Sequence, residues 1–233
     1  MKATRVFLSI GILVFILPTA FGQFGASAHL LSGQADNWEW TPPISSQDRI
    51  ELVGSGWQGG IDYWFRLKNT RIEFLPTLAV SQQSQTTGQS PFTLESQIQG
   101  VHFFFNTNIY FMDLSGDCDC PTFSKEGPTL QKGLFLQLSP GYSLFDFELT
   151  DNESGQTYEA NDGAFSIGAG LGFDLGLSDF FTFTPMAGLR YYPSVTWETL
   201  NGESGIIFPS EVEAESNLIQ YHVGLRLGFR LDN

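Results

Sequence analysis

Within residues 216–231 the chain alternates without interruption from Ile219 onward. Ile219, Tyr221, Val223, Leu225, Leu227, Phe229 and Leu231 hold the odd positions, and Gln220, His222, Gly224, Arg226, Gly228 and Arg230 the even ones. A period of two is that of a β-strand with one apolar and one polar face. The run is long enough to cross a bilayer as a tilted strand.

The same design recurs upstream and predicts eight strands: 24–31, 53–67, 71–82, 95–111, 132–149, 164–177, 180–195 and 216–231. In the sixth, Phe165, Ile167, Leu171, Phe173, Leu175 and Leu177 oppose Ser166, Gly168, Gly170, Gly172, Asp174 and Gly176. In the fourth, Val101, Phe103, Phe105, Ile109 and Phe111 oppose Gly100, His102, Asn106 and Asn108. The fifth changes phase near its end, where Asp146 and Glu148 take the face held earlier by Leu134, Leu136 and Leu138. A β-bulge near Phe145–Phe147 is the expected cause.

Connections alternate in length. Lys68-Asn69-Thr70 and Ser178-Asp179 read as tight turns. The stretches 33–52, 83–94, 150–162 and 197–215 read as long polar loops. With both termini on one side, short turns fall there and long loops opposite, the pattern of periplasmic turns and extracellular loops. The segment 113–131 is the exception, a long connection on the turn side.

Two closed barrels fit alternation of this kind. A soluble barrel such as a lipocalin hides its apolar face, and a membrane barrel shows it. The apolar faces here are too bulky for the interior of eight strands. The opposite faces carry Gly, Ser and Thr, with charges of both signs: Asp62, Arg66, Glu73, His102, Asp174, Arg190, His222, Arg226 and Arg230. The expected fold is therefore all-β: an eight-stranded antiparallel up-and-down transmembrane β-barrel, its lumen filled by side chains and by a network of those charges. Tyr63, Tyr110, Tyr191, Tyr192, Trp197 and Tyr221 near strand ends are expected to form interfacial girdles.

Composition agrees. Of 233 residues, 42% are hydrophobic and 15% charged, against roughly 25% charged in soluble domains. Mean hydropathy is nevertheless −0.05, as alternating strands produce. The N-terminus is separate in character. Lys2 and Arg5 precede an apolar run over 6–17, Pro18 ends it, and Ala20-Phe21-Gly22 offers small residues to a signal peptidase. Residues 1–22 are expected to be a signal peptide, and 23–233 the barrel. Removing them leaves 9 basic and 25 acidic residues, 9 − 25 = −16. That charge excludes nucleic acid as a natural partner and a broad basic face for anionic lipid headgroups.

Chemistry is sparse. Cys118 and Cys120, the two cysteines, could form a local disulfide, bind a metal with further ligands or stay reduced. His102, His222 and Asp174 could form an inward acid–base cluster, but no nucleophile motif accompanies them and charge pairing in the lumen is the plainer use. Acidic loops could take calcium, yet no spacing matches a defined loop. Gly168, Gly170 and Gly172 alternate with apolar residues, so they belong to a strand and not to a nucleotide-binding turn. No cofactor is called for.

The closing strand, with His222, Gly224 two residues on, and then Leu227 and Phe229, resembles the assembly signal of small outer-membrane barrels. The mature chain resembles such proteins of Bacteroidetes-type bacteria, of the OmpA/OmpX-like or PorT-like barrel class. The resemblance implies residence in the outer membrane of a Gram-negative envelope and contact with the outer-membrane assembly machinery. The expected role is non-enzymatic: a structural, adhesive or docking barrel with acidic extracellular loops, an envelope protein as possible partner, and no open pore. An integral-membrane enzyme acting on lipid or peptide, and a soluble ligand-binding barrel, are the alternatives.

Overall fold

Period-two alternation resolves into eight long antiparallel strands that close on themselves. The computed structural model describes residues 23–40, 50–66, 72–89, 92–111, 133–177, 181–201 and 213–229. The strands are β1 (Gln23–Ala35), β2 (Ser55–Arg66), β3 (Ile72–Gln89), β4 (Phe92–Ile109), β5 (Leu134–Asp151), β6 (Gln156–Phe173), β7 (Phe181–Thr196) and β8 (Glu215–Phe229). Each pairs with its neighbour in sequence, and β8 pairs with both β7 and β1. The sheet is an up-and-down barrel, and closure removes the sheet's edges along its lower wall. Among the described residues no helix is long and apolar enough to cross a membrane.

Two segments expected as loops are strand. Residues 83–89 and 92–94 belong to β3 and β4, paired up to Gln89↔Phe92, and most of 150–162 to a β5–β6 hairpin paired up to Asp151↔Gln156. β1 likewise continues past 31 to Ala35. The backbone ladder needs no apolar side chains, and the outward positions here, such as Gln82, Ser84 and Thr86, are polar. The β5–β6 turn is closed by Gly155, whose φ of 69° is open to glycine at little cost.

The expected bulge near Phe145–Phe147 is absent. Pairing runs without a shift from Val101↔Leu144 to Glu95↔Thr150 on one side, and from Leu144↔Gly163 to Thr150↔Thr157 on the other. What changes is the surroundings of the wall. Up to Leu144 the outward residues of β5 are apolar and the inward ones include Gln137, Ser139 and Ser143. Beyond it Asp146 and Glu148 point outward, while Phe145, Phe147 and Leu149 point inward at 1%, 1% and 0% exposure.

The other strands invert at the same level. On β1, Phe24, Ala26, Ala28 and Leu30 face out and give way to Ser32 and Gln34, while inward His29 is followed by Leu31 and Ala35. On β3 the outward run ends at Val80 and continues as Gln82 and Ser84. On β4, Gln99 and Val101 are the outward residues either side of the boundary. Register places these boundaries side by side: Val80 pairs Val101, Val101 pairs Leu144, and Gln99 pairs Asp146. The barrel therefore has a lower section with an apolar belt outside and a polar lumen inside. Above it stands a crown built the opposite way round.

The crown has its own core. Trp38, Leu52, Ile98, Phe145, Phe147, Tyr192, Trp197, Leu200 and Leu218 are among the buried residues that fill it. Trp38 packs edge-on against both Phe147 and Trp197, an arrangement favoured by the ring quadrupoles. This core corrects the girdle assignment. Tyr192 and Trp197 are buried in the plug and Tyr110 in the lumen, whereas Tyr221 lies on the outer wall.

Candidate functional site

The lumen is built from inward positions of all eight strands. At its lower end Arg226 on β8 reaches over Gly25 of β1 to Asp62 on β2, with Nε 2.9 Å from Oδ2 and Nη2 2.5 Å from Oδ1. Beside them Glu73 accepts hydrogen bonds from Trp64 Nε1 at 2.7 Å and from the Tyr110 hydroxyl at 2.8 Å. The Tyr110 hydroxyl also contacts Asp174, which accepts a second bond from Thr184. A cavity of about 20 Å³ lies among Trp64, Glu73, Asn108, Asp174, Thr184 and Arg226, enough for a water molecule with several polar partners.

Higher up, His102 is held between Ser81 at 2.8 Å and Ser143 at 2.7 Å. Arg190 donates to Ser139 at 3.1 Å and lays its guanidinium 3.4 Å from the centre of the Phe104 ring, a cation–π contact. His222 meets His29 edge to face at 5.3 Å. Gln220 donates to Gln83 at 2.6 Å just beneath the plug.

The charges expected in the lumen thus fall into two groups. Asp62, Glu73, Asp174 and Arg226 gather at the lower end, and His102, Arg190 and His222 lie above. His102, His222 and Asp174 do not come together as an acid–base site: Asp174 is bonded at the lower end, and His102 is enclosed by serines. The Arg66 side chain, Arg230, the cysteines Cys118 and Cys120, the two tight turns and residues 1–22 lie outside the described residues. Of the assembly-signal positions, His222 points inward, Leu227 and Phe229 outward. At Gly224 a Cβ would stand 2.3 Å from the Ala28 carbonyl oxygen, so the β1–β8 seam closes only over glycine.

Sequence reasoning placed Trp64 and Thr184 on the lumen face and missed Tyr110, Ser139 and Phe104 as lumen residues. For Tyr110 and Phe104 the signal was present, since both are in phase with inward His102 and Asn108.

The crown's outer surface is acidic. Glu95, Asp146, Glu148 and Glu159 stand on it, and the described residues of the crown include no lysine or arginine. Glu148 lies directly opposite Glu159, and Glu39 opposite Glu51, placements that are mildly unfavourable for like charges. Partial burial, with Glu39 adding to it, raises the Glu51 carboxyl above its ordinary value. Asp151, at the hairpin turn, is lowered by hydrogen bonds from the Ser154 hydroxyl and the Glu153 amide. Among the described residues no group of three or more His, Cys, Asp or Glu could hold a metal ion.

No protein-family model and no curated protein matches the chain. Solved structures do. The attachment invasion locus protein Ail of Yersinia pestis is 10% identical with a TM-score of 0.45, over 89% of this chain and 97% of that one. Neisserial surface protein A is 10% identical with a TM-score of 0.43, over 91% and 98%. The outer membrane protease OmpT from Escherichia coli is 6% identical with a TM-score of 0.46, over 93% and 99%. At these values no residue or activity transfers to this chain, and the architecture stands on its own strand pairings.

Proposed function

We propose that this chain is an integral outer-membrane barrel of a Gram-negative envelope, closed at its loop end, whose acidic crown serves as a docking surface. The observation that carries this reading is the inversion of both faces at one level around the wall. Below it, side chains such as Phe165, Leu30 and Ile61 are 73%, 67% and 65% exposed, a belt that only a hydrocarbon surround satisfies. On β5 the belt runs from Leu134 to Leu144, matching the roughly 9–11 residues of a tilted membrane-spanning strand. Above it the wall has the polarity of a water-soluble barrel. Residues 1–22 would direct export, and the closing strand would meet the assembly machinery, as its resemblance to Bacteroidetes-type barrels implies.

The plug argues for a closed lumen. An interior of eight strands is just wide enough for side chains, and here aromatic rings fill its upper end. The role is then non-enzymatic, structural or adhesive, through a crown whose charge suits a cationic envelope or surface partner.

The test is made on the protein from purified outer membranes. Expected are altered gel mobility on boiling and no swelling of liposomes carrying the folded barrel in small sugars. Recovery from a soluble fraction would overturn the membrane reading, and sugar-permeable liposomes the closed lumen.

A further inference from the structure

The apolar belt is unevenly filled around the wall. On β3 to β6 one row of paired outward residues reads Leu78, Phe103, Tyr142, Phe165. Their large side chains tile the surface, and the Tyr142 and Phe165 rings meet at 4.9 Å. On the opposite wall the row across β2, β1, β8 and β7 reads Gly59, Ala28, Leu225, Pro185. The next row toward the crown passes from Leu30 through Val223 to Ala187. Glycine and alanine leave the wall low here. Beyond its chain neighbours, a Cβ on Gly59 would meet nothing within 4 Å but the Trp57 ring, at 3.6 Å.

The low ground is a basin of about 970 Å³, with Leu30 and Trp57 rising at one end and Leu134, Leu171 and Phe173 at the other. Small-molecule sites span roughly 300–1,000 Å³, so the basin is large enough for a ligand of that class. Among the described residues that line it none is charged. Its two polar residues, His29 and Gln58, are buried with their side chains in the lumen. Toward the crown the wall turns polar directly above Leu30 and Trp57, at the paired Ser32 and Ser55.

We propose that the basin is a lipid site, in which the acyl chains of one bilayer phospholipid are held more tightly than in the surrounding membrane. The inference rests on the membrane reading of the belt, not on the docking role of the crown. Lipid tails are as apolar as leucine, so a lipid is retained here by packing and not by the hydrophobic effect. A concave floor of small residues supplies that packing, because it lets a chain touch wall on several sides at once. The headgroup then lies at the crown end, beside Ser32, Ser55 and the Trp57 indole, whose ring suits a membrane interface. A second copy of this chain fits the basin less well. A two-fold contact sets basin against basin and leaves both unfilled, and a head-to-tail contact with the Phe103 wall leaves a free basin on the last copy unless a ring closes.

The test weighs the intact barrel after extraction from phosphatidylethanolamine vesicles in mild detergent, by native mass spectrometry. The native barrel should carry one phosphatidylethanolamine. Ala28→Leu with Ala187→Leu raises the floor on the lipid-facing side and should retain roughly tenfold less, since each displaced methylene contact weakens the hold. Val101→Leu on the far wall should retain as much as the native barrel. The boiling-dependent gel shift confirms that each variant is folded. A native barrel that weighs no more than the bare chain overturns the proposal. So do adducts undiminished in the filled barrel, or a mass of two chains in place of the lipid. Recovery of the chain from a soluble fraction would fail the membrane reading itself, whereas a bare barrel that still shifts on boiling fails this inference alone.

Discussion

Arg226 and Asp62 are joined across an intervening strand, and Gly25 is what lets them meet. A Cβ at Gly25 would stand 2.5 Å from both Arg226 Nη2 and Asp62 Oδ2. Gly25 pairs with Asp62 on one side and Gly228 on the other, so the glycine lies beneath the ion pair. With side chains only 11% and 2% exposed, the pair is shielded from water. Asp62→Ala leaves a buried guanidinium uncompensated and should cost about 3–5 kcal/mol. Gly25→Val should cost a comparable amount by wedging the pair apart. The double replacement Asp62→Leu with Arg226→Met should be near neutral, because both charges go together. Urea unfolding of the refolded barrel reads all three.

Phe147 and Glu148 are sequence neighbours with opposite surroundings. Phe147→Ala should cost about 3–5 kcal/mol through the cavity left in the plug. Glu148→Lys should change stability by no more than about 0.5 kcal/mol, or improve it, by ending the opposition to Glu159. Equal costs at the two positions would contradict the assignment of faces.

The crown carries pH effects of both signs. Because the Glu51 carboxyl is raised in the folded state, its contribution is present at low pH and is lost as pH rises through its folded value. Glu51→Gln should therefore stabilise slightly at pH 7 and leave pH 4 almost unchanged. Asp151 is lowered, so its contribution is present near neutrality and fades on acidification below the ordinary aspartate value. Asp151→Asn should destabilise the hairpin at pH 7 and have less effect at pH 3. Unfolding midpoints at these pH values check both signs.

Gly224 faces the β1 backbone at the seam. Gly224→Val should prevent β1–β8 closure, since the added atoms fall within contact of the Ala28 carbonyl. The expected outcome is loss of the boiling-dependent gel shift, whereas Val223→Leu on the outer face should retain it.

Much of the fold was legible because the belt and lumen alternate in polarity over whole strands. The positions of β2 and β4 to β8 follow from runs such as Phe165–Ile167–Leu171 against Ser166–Gly168–Gly170. The crown was not legible for a physical reason. There both faces of the wall exchange polarity, so the residues that face out become Gln82, Gln99 and Asp146, and the alternation changes sign. At Phe145–Phe147 that sign change is visible in the sequence, and it imitates a bulge. The lumen site was legible only by type. Which strands bring Arg190 to Phe104, or Tyr110 between Glu73 and Asp174, depends on register, and a single strand's sequence does not contain its partners' offsets.

The inversion between Val101 and Gln99 is the central claim, and single cysteines test it directly. In a background with Cys118 and Cys120 changed to Ser, Gln99→Cys and Phe103→Cys are exposed on whole cells to a membrane-impermeant maleimide. Labelling of Gln99→Cys, with Phe103→Cys protected until the membrane is dissolved and the barrel unfolded, is the predicted result. Equal labelling of both positions in intact cells would contradict the belt, and with it the membrane placement of the barrel.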